Sequence, residues 1–280
     1  MLMGADDLID LKRYPINVMG QARNALVCDI QNKLAKDGCA VLKGFLTKAA
    51  IGALCDEADG VAHLAHKSFS KTNPYFTKDD PSLPIDDPRR RFYARSNAFI
   101  PADNFQKSGP LRTIHDADGF DSFIKDCLEQ DNFYRYADPL ADVIVNMATK
   151  GNGFPWHFDT NNFTVTLAIQ NAQSGGEFDY APAIRDGNEN YKAVQDVLDG
   201  VSDRVTRLVL EPGDLQLFKG RYSLHRVAPL YGDRPRYVAI FSYVGEPDMV
   251  GSVERTRQLY GRTLPIHHAR EKNRNDNYLD

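Results

Sequence analysis

Trp156-His157-Phe158-Asp159 is the segment of this sequence best equipped for chemistry. In a strand, residues two apart share a face, so His157 and Asp159 can grip one ion while Phe158 packs behind them. An imidazole nitrogen and a carboxylate oxygen suit Fe(II), and a second histidine completes a two-histidine, one-carboxylate face with three open positions. His225 is the candidate, because it follows Pro212-Gly213-Asp214, a tight turn that feeds a strand. Beyond it lie Arg234 and Arg236, and a guanidinium at either place can hold a carboxylate through two parallel hydrogen bonds. Arg236 leads directly into an apolar run and is expected to point inward with Val238 and Ile240. A His-x-Asp triplet alone has little specificity in a chain with seven histidines. The competing reading is a hydrogen-bonded pair without a metal, and the ordered set of residues is what weighs against it.

These residues need strands to position them. Between residues 140 and 245 the sequence breaks into short β-like runs separated by turn residues, among them VIVNMA, PWHFD, FTVTLAIQ, GGEFDYA, RLVLEP, DLQLF and RYVAIFSYV. Such spacing predicts a sandwich, jelly roll or barrel. A charged segment, 185–206, interrupts them with a short helix through Tyr191, Val194 and Leu198. Before the β region, helical periodicity predicts helices over 22–35 and 48–61, a short strand at 39–45, and a further helix over 119–136. Residues 67–89 are rich in Pro, Asp, Ser and Lys and predict a long irregular connection. Residues 90–100 predict a strand in which Arg91, Tyr93 and Arg95 share one face. One of those arginines would bind a substrate carboxylate, against the competing reading that both pair with nearby aspartates. A helix is expected from 252 to about 261, followed by a polar tail in which His267 and His268 face solvent. His115 is expected in a turn and Asp214 in a structural one.

No linker divides the 280 residues, so one domain is expected. Its parts are a helical N-terminal flank over about 1–139, a β core over about 140–246, and a C-terminal helix and tail over 247–280. Hydrophobic residues make up 42% and charged residues 26%, enough for a sizeable core. A net charge of −4 gives no global attraction to nucleic acid or anionic membrane, so any small anionic substrate must be met by local arginines. The four cysteines show no CxxC pairing and read as free thiols in a reducing compartment. The start, MLMGADDLIDLKRYPI, lacks the apolar stretch of a signal peptide, and no run approaches a membrane span. A cytoplasmic protein with a small-molecule substrate is expected.

Taken in order, the run N-x6-G-x2-WHFD (146–159), GGEF (175–178), PGDLxLF (212–218), the histidine and the arginine after it resemble the Fe(II)/2-oxoglutarate oxygenases of the double-stranded β-helix fold. The resemblance spans about residues 25 to 246. It implies a mainly β protein with flanking helices and a jelly-roll, cupin-like core. It also implies His157, Asp159 and His225 as iron ligands, Arg236 (or Arg234) as the 2-oxoglutarate anchor and Asn146 as a further cosubstrate contact, with O2 as second cosubstrate. RRFYARS (90–96) and ERTRQLYGR (254–262) are similar to the branch that hydroxylates or halogenates free amino acids. In its halogenating members the metal-binding carboxylate is replaced by a small residue, whereas Asp159 is present here. That favours hydroxylation, desaturation or ring closure. The alternatives are a cupin-like metal-dependent dioxygenase or isomerase without 2-oxoglutarate, and a non-enzymatic ligand-binding barrel.

Overall fold

The computed structural model describes residues 3–269. Its helices are α1 (Gln21–Asp37), α2 (Lys48–Val61), α3 (Pro110–His115), α4 (Phe120–Leu128), α5 (Tyr191–Leu198), α6 (Val253–Tyr260) and α7 (Pro265–Ala269), besides a single turn at Ala5–Leu8. The principal strands are β1 (Cys39–Leu42), β2 (His66–Thr72), β3 (Tyr93–Ile100), β4 (Val143–Ala148), β5 (Phe154–His157), β6 (Thr164–Gln170), β7 (Phe178–Ala181), β8 (Thr206–Leu208), β9 (Leu215–Phe218), β10 (Leu224–Val227) and β11 (Arg236–Phe241). All their pairings are antiparallel. One sheet runs β1-β9-β6-β11-β4-β3-β2 and the other β8-β7-β10-β5. From β4 to β7 the chain alternates between the sheets, and it alternates again from β8 to β11. This is the jelly-roll arrangement that the strand spacing predicts.

Period-two alternation gives each strand of the larger sheet two jobs. One face carries Val143, Val145, Val165, Leu167, Leu215, Leu217, Ala239 and Phe241, which join Val27, Leu34, Leu54 and Phe120 from the helices in the main core. The opposite face carries Asn146, Thr164, Thr166, Gln216 and Arg236, which line an internal cavity of about 250 Å³. The helices form for local reasons. α1 buries Val27, Ile30 and Leu34 on one stripe and stops at Gly38, whose φ of 65° is the left-handed cap conformation. In α2 the Thr47 side chain accepts the Ala50 N–H as an N-cap. Ser252 caps α6 in the same way through the Arg255 N–H, and Gly261 ends it at φ 72°.

Two expectations fail. Residues 67–89 are not irregular throughout, because 66–72 form β2 and pair with β3 along its length. β2 has no fully buried residue, and Phe69 is exposed, so the segment shows no apolar face to betray it. The helix expected over 119–136 ends at Leu128, where Glu129 takes a left-handed φ of 55°, and Tyr134–Arg135 instead pair with Tyr243–Val244. Among the described residues no helix is long and apolar enough to cross a membrane.

Candidate active site

His157 and His225 are direct partners across the antiparallel pair β5–β10. Facing residues on adjacent strands bring their side chains together, and the two ring centres lie 4.1 Å apart. Each ring is oriented from behind. His157 Nδ1 lies 2.8 Å from the Pro155 carbonyl oxygen and His225 Nδ1 lies 2.9 Å from that of Ser223. With Nδ1–H donating to a carbonyl, the Nε2 lone pair of each histidine is left for a metal.

Asp159 lies two residues past the end of β5, where its N–H donates to the Gly220 carbonyl. Its Oδ1 lies 3.6 Å from His157 Nε2 and 3.3 Å from His225 Nε2, and all three donor atoms fall within 4.8 Å of one another. The Thr164 hydroxyl donates to Oδ2. A methyl group on Gly220 would sit 1.8 Å from that oxygen, so the glycine makes room for the carboxylate. Burial would raise the Asp159 carboxyl, but His225 and His157 hold it well below the usual carboxylate range. Burial and then repulsion from His225 push His157 down to about 3. The triad presents two imidazole nitrogens and one carboxylate oxygen, a donor set that fits a divalent cation such as Fe(II). Phe158 faces away and is buried against Tyr75.

The cavity that holds the triad has a cationic residue deep in the larger sheet. Arg236 is buried, and among the described residues no carboxylate pairs with it. Burial alone lowers its pKa to about 10. Val238 and Ile240 line the same cavity, as the strand alternation predicts. Arg234 is exposed and donates to the Ala172 carbonyl, outside the cavity. Asn146 lines the cavity and donates to Ala98 O at 3.4 Å.

Arg95 also lines this cavity, stacked over Phe154 at 4.1 Å and Phe76 at 4.9 Å. Arg91 does not. It precedes β3, so the shared-face argument does not reach it, and it pairs with Asp199 at 2.5 Å. Two histidines depart from expectation. His267 is fully buried, with Nε2 3.0 Å from Asp138 Oδ2, and ties α7 to the body. His115 is not in a turn but ends α3, buried and stacked on Phe241. Asp214 keeps its structural role, accepting the Gly44 and Glu211 N–H groups.

Several lining residues escaped the sequence argument. Phe76 takes a left-handed φ of 59°, in a loop organised by the buried side chain of Asn73. Arg255 and Leu259, one turn apart on α6, reach the cavity wall, and their only sequence signal was the ERTRQLYGR run itself.

A family model described as Halogenase D matches residues 22–260. No curated protein sequence matches the chain. Among solved structures, AviO1 from Streptomyces viridochromogenes Tue57 superposes with a TM-score of 0.54 at 14% identity, over 84% of this chain and 99% of that one. HygX from Streptomyces hygroscopicus, solved with nickel, 2-oxoglutarate and hygromycin B bound, gives 0.52 at 11%, over 78% and 87%. A 2OG-Fe(II) oxygenase family oxidoreductase from Burkholderia pseudomallei gives 0.51 at 13%, over 79% and 91%. At these identities the likeness is one of fold.

Proposed function

This chain belongs to the Halogenase D family, and from that premise we propose that it is an Fe(II)- and 2-oxoglutarate-dependent oxygenase that oxidises a C–H bond of a small polar substrate. Hydroxylation of a free amino acid or related metabolite is the specific reading. One observation carries it: the His157–Asp159–His225 face shares its cavity with a buried Arg236 that no carboxylate among the described residues neutralises. A buried, unpaired guanidinium is costly unless an anionic ligand completes it.

Fe(II), when bound with 2-oxoglutarate and O2, supplies the oxidising power. The chain's own part is positioning and shielding. Arg236 holds the distal carboxylate of the cosubstrate through paired, charge-assisted hydrogen bonds, with Asn146 beside it on the neighbouring strand. Phe154, Phe178 and Phe218 pack around the two histidine rings and keep water from them. Arg95 receives a carboxylate of the primary substrate.

The family name raises halogenation, and Asp159 argues against it. The carboxylate occupies the ligand position that a halide would need and opposes a second anion there, and Gly220 and Thr164 both accommodate it. Anaerobic Fe(II) with 2-oxoglutarate should give a weak visible charge-transfer band. Tight iron binding with no such band would overturn the reading in favour of a metal-dependent enzyme without this cosubstrate. In high chloride the product should be oxygenated, desaturated or cyclised, and a chlorinated species by mass spectrometry would remove the role given to Asp159.

A further inference from the structure

The substrate end of the cavity is more basic than one carboxylate requires. Arg255 on α6 lies 4.9 Å from the centre of the Phe76 ring, the same distance at which Arg95 meets that ring. Both guanidiniums thus lie against the Phe76 ring, and the charge of Arg255 adds to burial in lowering the Arg95 pKa well below its ordinary value. Arg255 donates to the neutral amide oxygen of Gln258 at 2.9 Å. Among the described residues no carboxylate is ion-paired with it.

The acidic side of the ledger is short. Among the described residues two carboxylates line the cavity, Asp159 and Asp138. Asp159 belongs to the metal face. Asp138 is buried and fully engaged, accepting the Leu140 N–H at 2.9 Å, the Gly251 N–H at 3.0 Å and His267 Nε2 at 3.0 Å. The wall therefore offers no open carboxylate for a cationic side chain. A second ammonium group would enter a cavity of low polarity beside two guanidiniums, where like charges repel strongly. An additional carboxylate would meet the opposite situation.

We propose that Arg255 is a specificity-determining residue for the primary substrate, and that this substrate is net anionic: a small amino acid bearing one more carboxylate, or equivalent anionic group, than ammonium groups. Arg95 takes one anionic group and Arg255 the other, while Phe99, Ile144 and Leu259 pack the methylenes. The inference rests on the oxygenase reading for the identity of the site, but its charge preference is separately measurable.

The test uses anaerobic full-length protein loaded with Fe(II) and 2-oxoglutarate. It is titrated with L-aspartate, L-glutamate, L-asparagine, L-glutamine and L-lysine, followed by calorimetry and by perturbation of the visible band. An acidic member should bind at least about tenfold tighter than its amide, and L-lysine weakest of all. Arg255→Gln should cut acid affinity by about tenfold or more and erase the preference, with the 2-oxoglutarate titration unchanged; Arg255→Lys should keep part of it. The proposal is overturned by an amide or lysine that binds as tightly as the acid, or by a preference that survives in Arg255→Gln. Failure of every acidic member to bind while the band is present also overturns it. If the band itself never forms, the oxygenase reading has failed instead, and calorimetry on the metal-free protein still decides the charge preference.

Discussion

The two ends of the cavity are held by different means. At the metal and Arg236 end, every functional side chain sits on or just past a strand, and its position follows from register: His225 opposite His157, Gln216 opposite Thr166, Arg236 opposite Ala148. At the substrate end, Phe76 comes from a loop, Arg95 from β3 and Arg255 from α6. There the segment that carries α6 and α7 is attached by the Asp138–His267 contact, the Gly251 N–H bond to Asp138, the Arg262–Asp103 ion pair and the packing of Tyr260 on Phe99. Rigid sheet geometry suits chemistry that must not vary, while attached segments can change with substrate at little cost to the core.

If that contrast is sound, damage at the two ends should separate. Asp159→Ala removes one of three metal donors and should lower iron affinity by more than about 100-fold, measured as bound iron after dialysis. Retained iron would show that the two histidines suffice. Arg236→Leu should weaken 2-oxoglutarate binding by at least about tenfold in a band titration, and Arg234→Leu should do much less; the reverse ranking would move the anchor to the exposed arginine. Gly220→Ala forces the Asp159 carboxylate aside and should lower iron affinity about tenfold while leaving thermal stability nearly unchanged. His267→Ala should destabilise the protein by about 1–3 kcal/mol and speed hydrogen exchange across 253–269, with iron and 2-oxoglutarate binding intact. Equal loss at both ends would erase the distinction. Arg91→Ala should be the mildest, because its ion pair with the exposed Asp199 is screened by solvent, so neither thermal stability nor substrate binding should change measurably.

The same contrast explains what was legible in the sequence. His157, His225 and Arg236 converge because strand periodicity and turn chemistry are local rules, visible in WHFD, PGDLQLF and RYVAIF. Asp159, by contrast, lies past the end of β5 and is placed by its N–H bond to the Gly220 carbonyl rather than by the strand face the sequence predicts. β4, β6, β9 and β11 have one apolar face, which made them visible as well. β2 has none and was hidden. His267 looked like a tail residue because its partner, Asp138, lies far away in sequence, and no local pattern announces a long-range buried pair. Arg255 sits in a helix that was expected, yet which face of that helix meets the cavity is decided by docking. Arg91 and Arg95 looked equivalent until the start of β3 at Tyr93 separated them.

The facing of His157 and His225 across β5 and β10 has a further consequence for assembly. Side chains alternate sides with every residue, so a slip of one position between these strands would turn one imidazole out of the cavity and leave Asp159 with a single partner. A cation that needs all three donors binds only the chain in which the two strands have found each other correctly. By mass action it then favours that pairing over its near neighbours. The ion that equips this site for reaction thereby also acts as a gauge of its construction, rewarding one alignment of two strands that the backbone alone would distinguish only weakly.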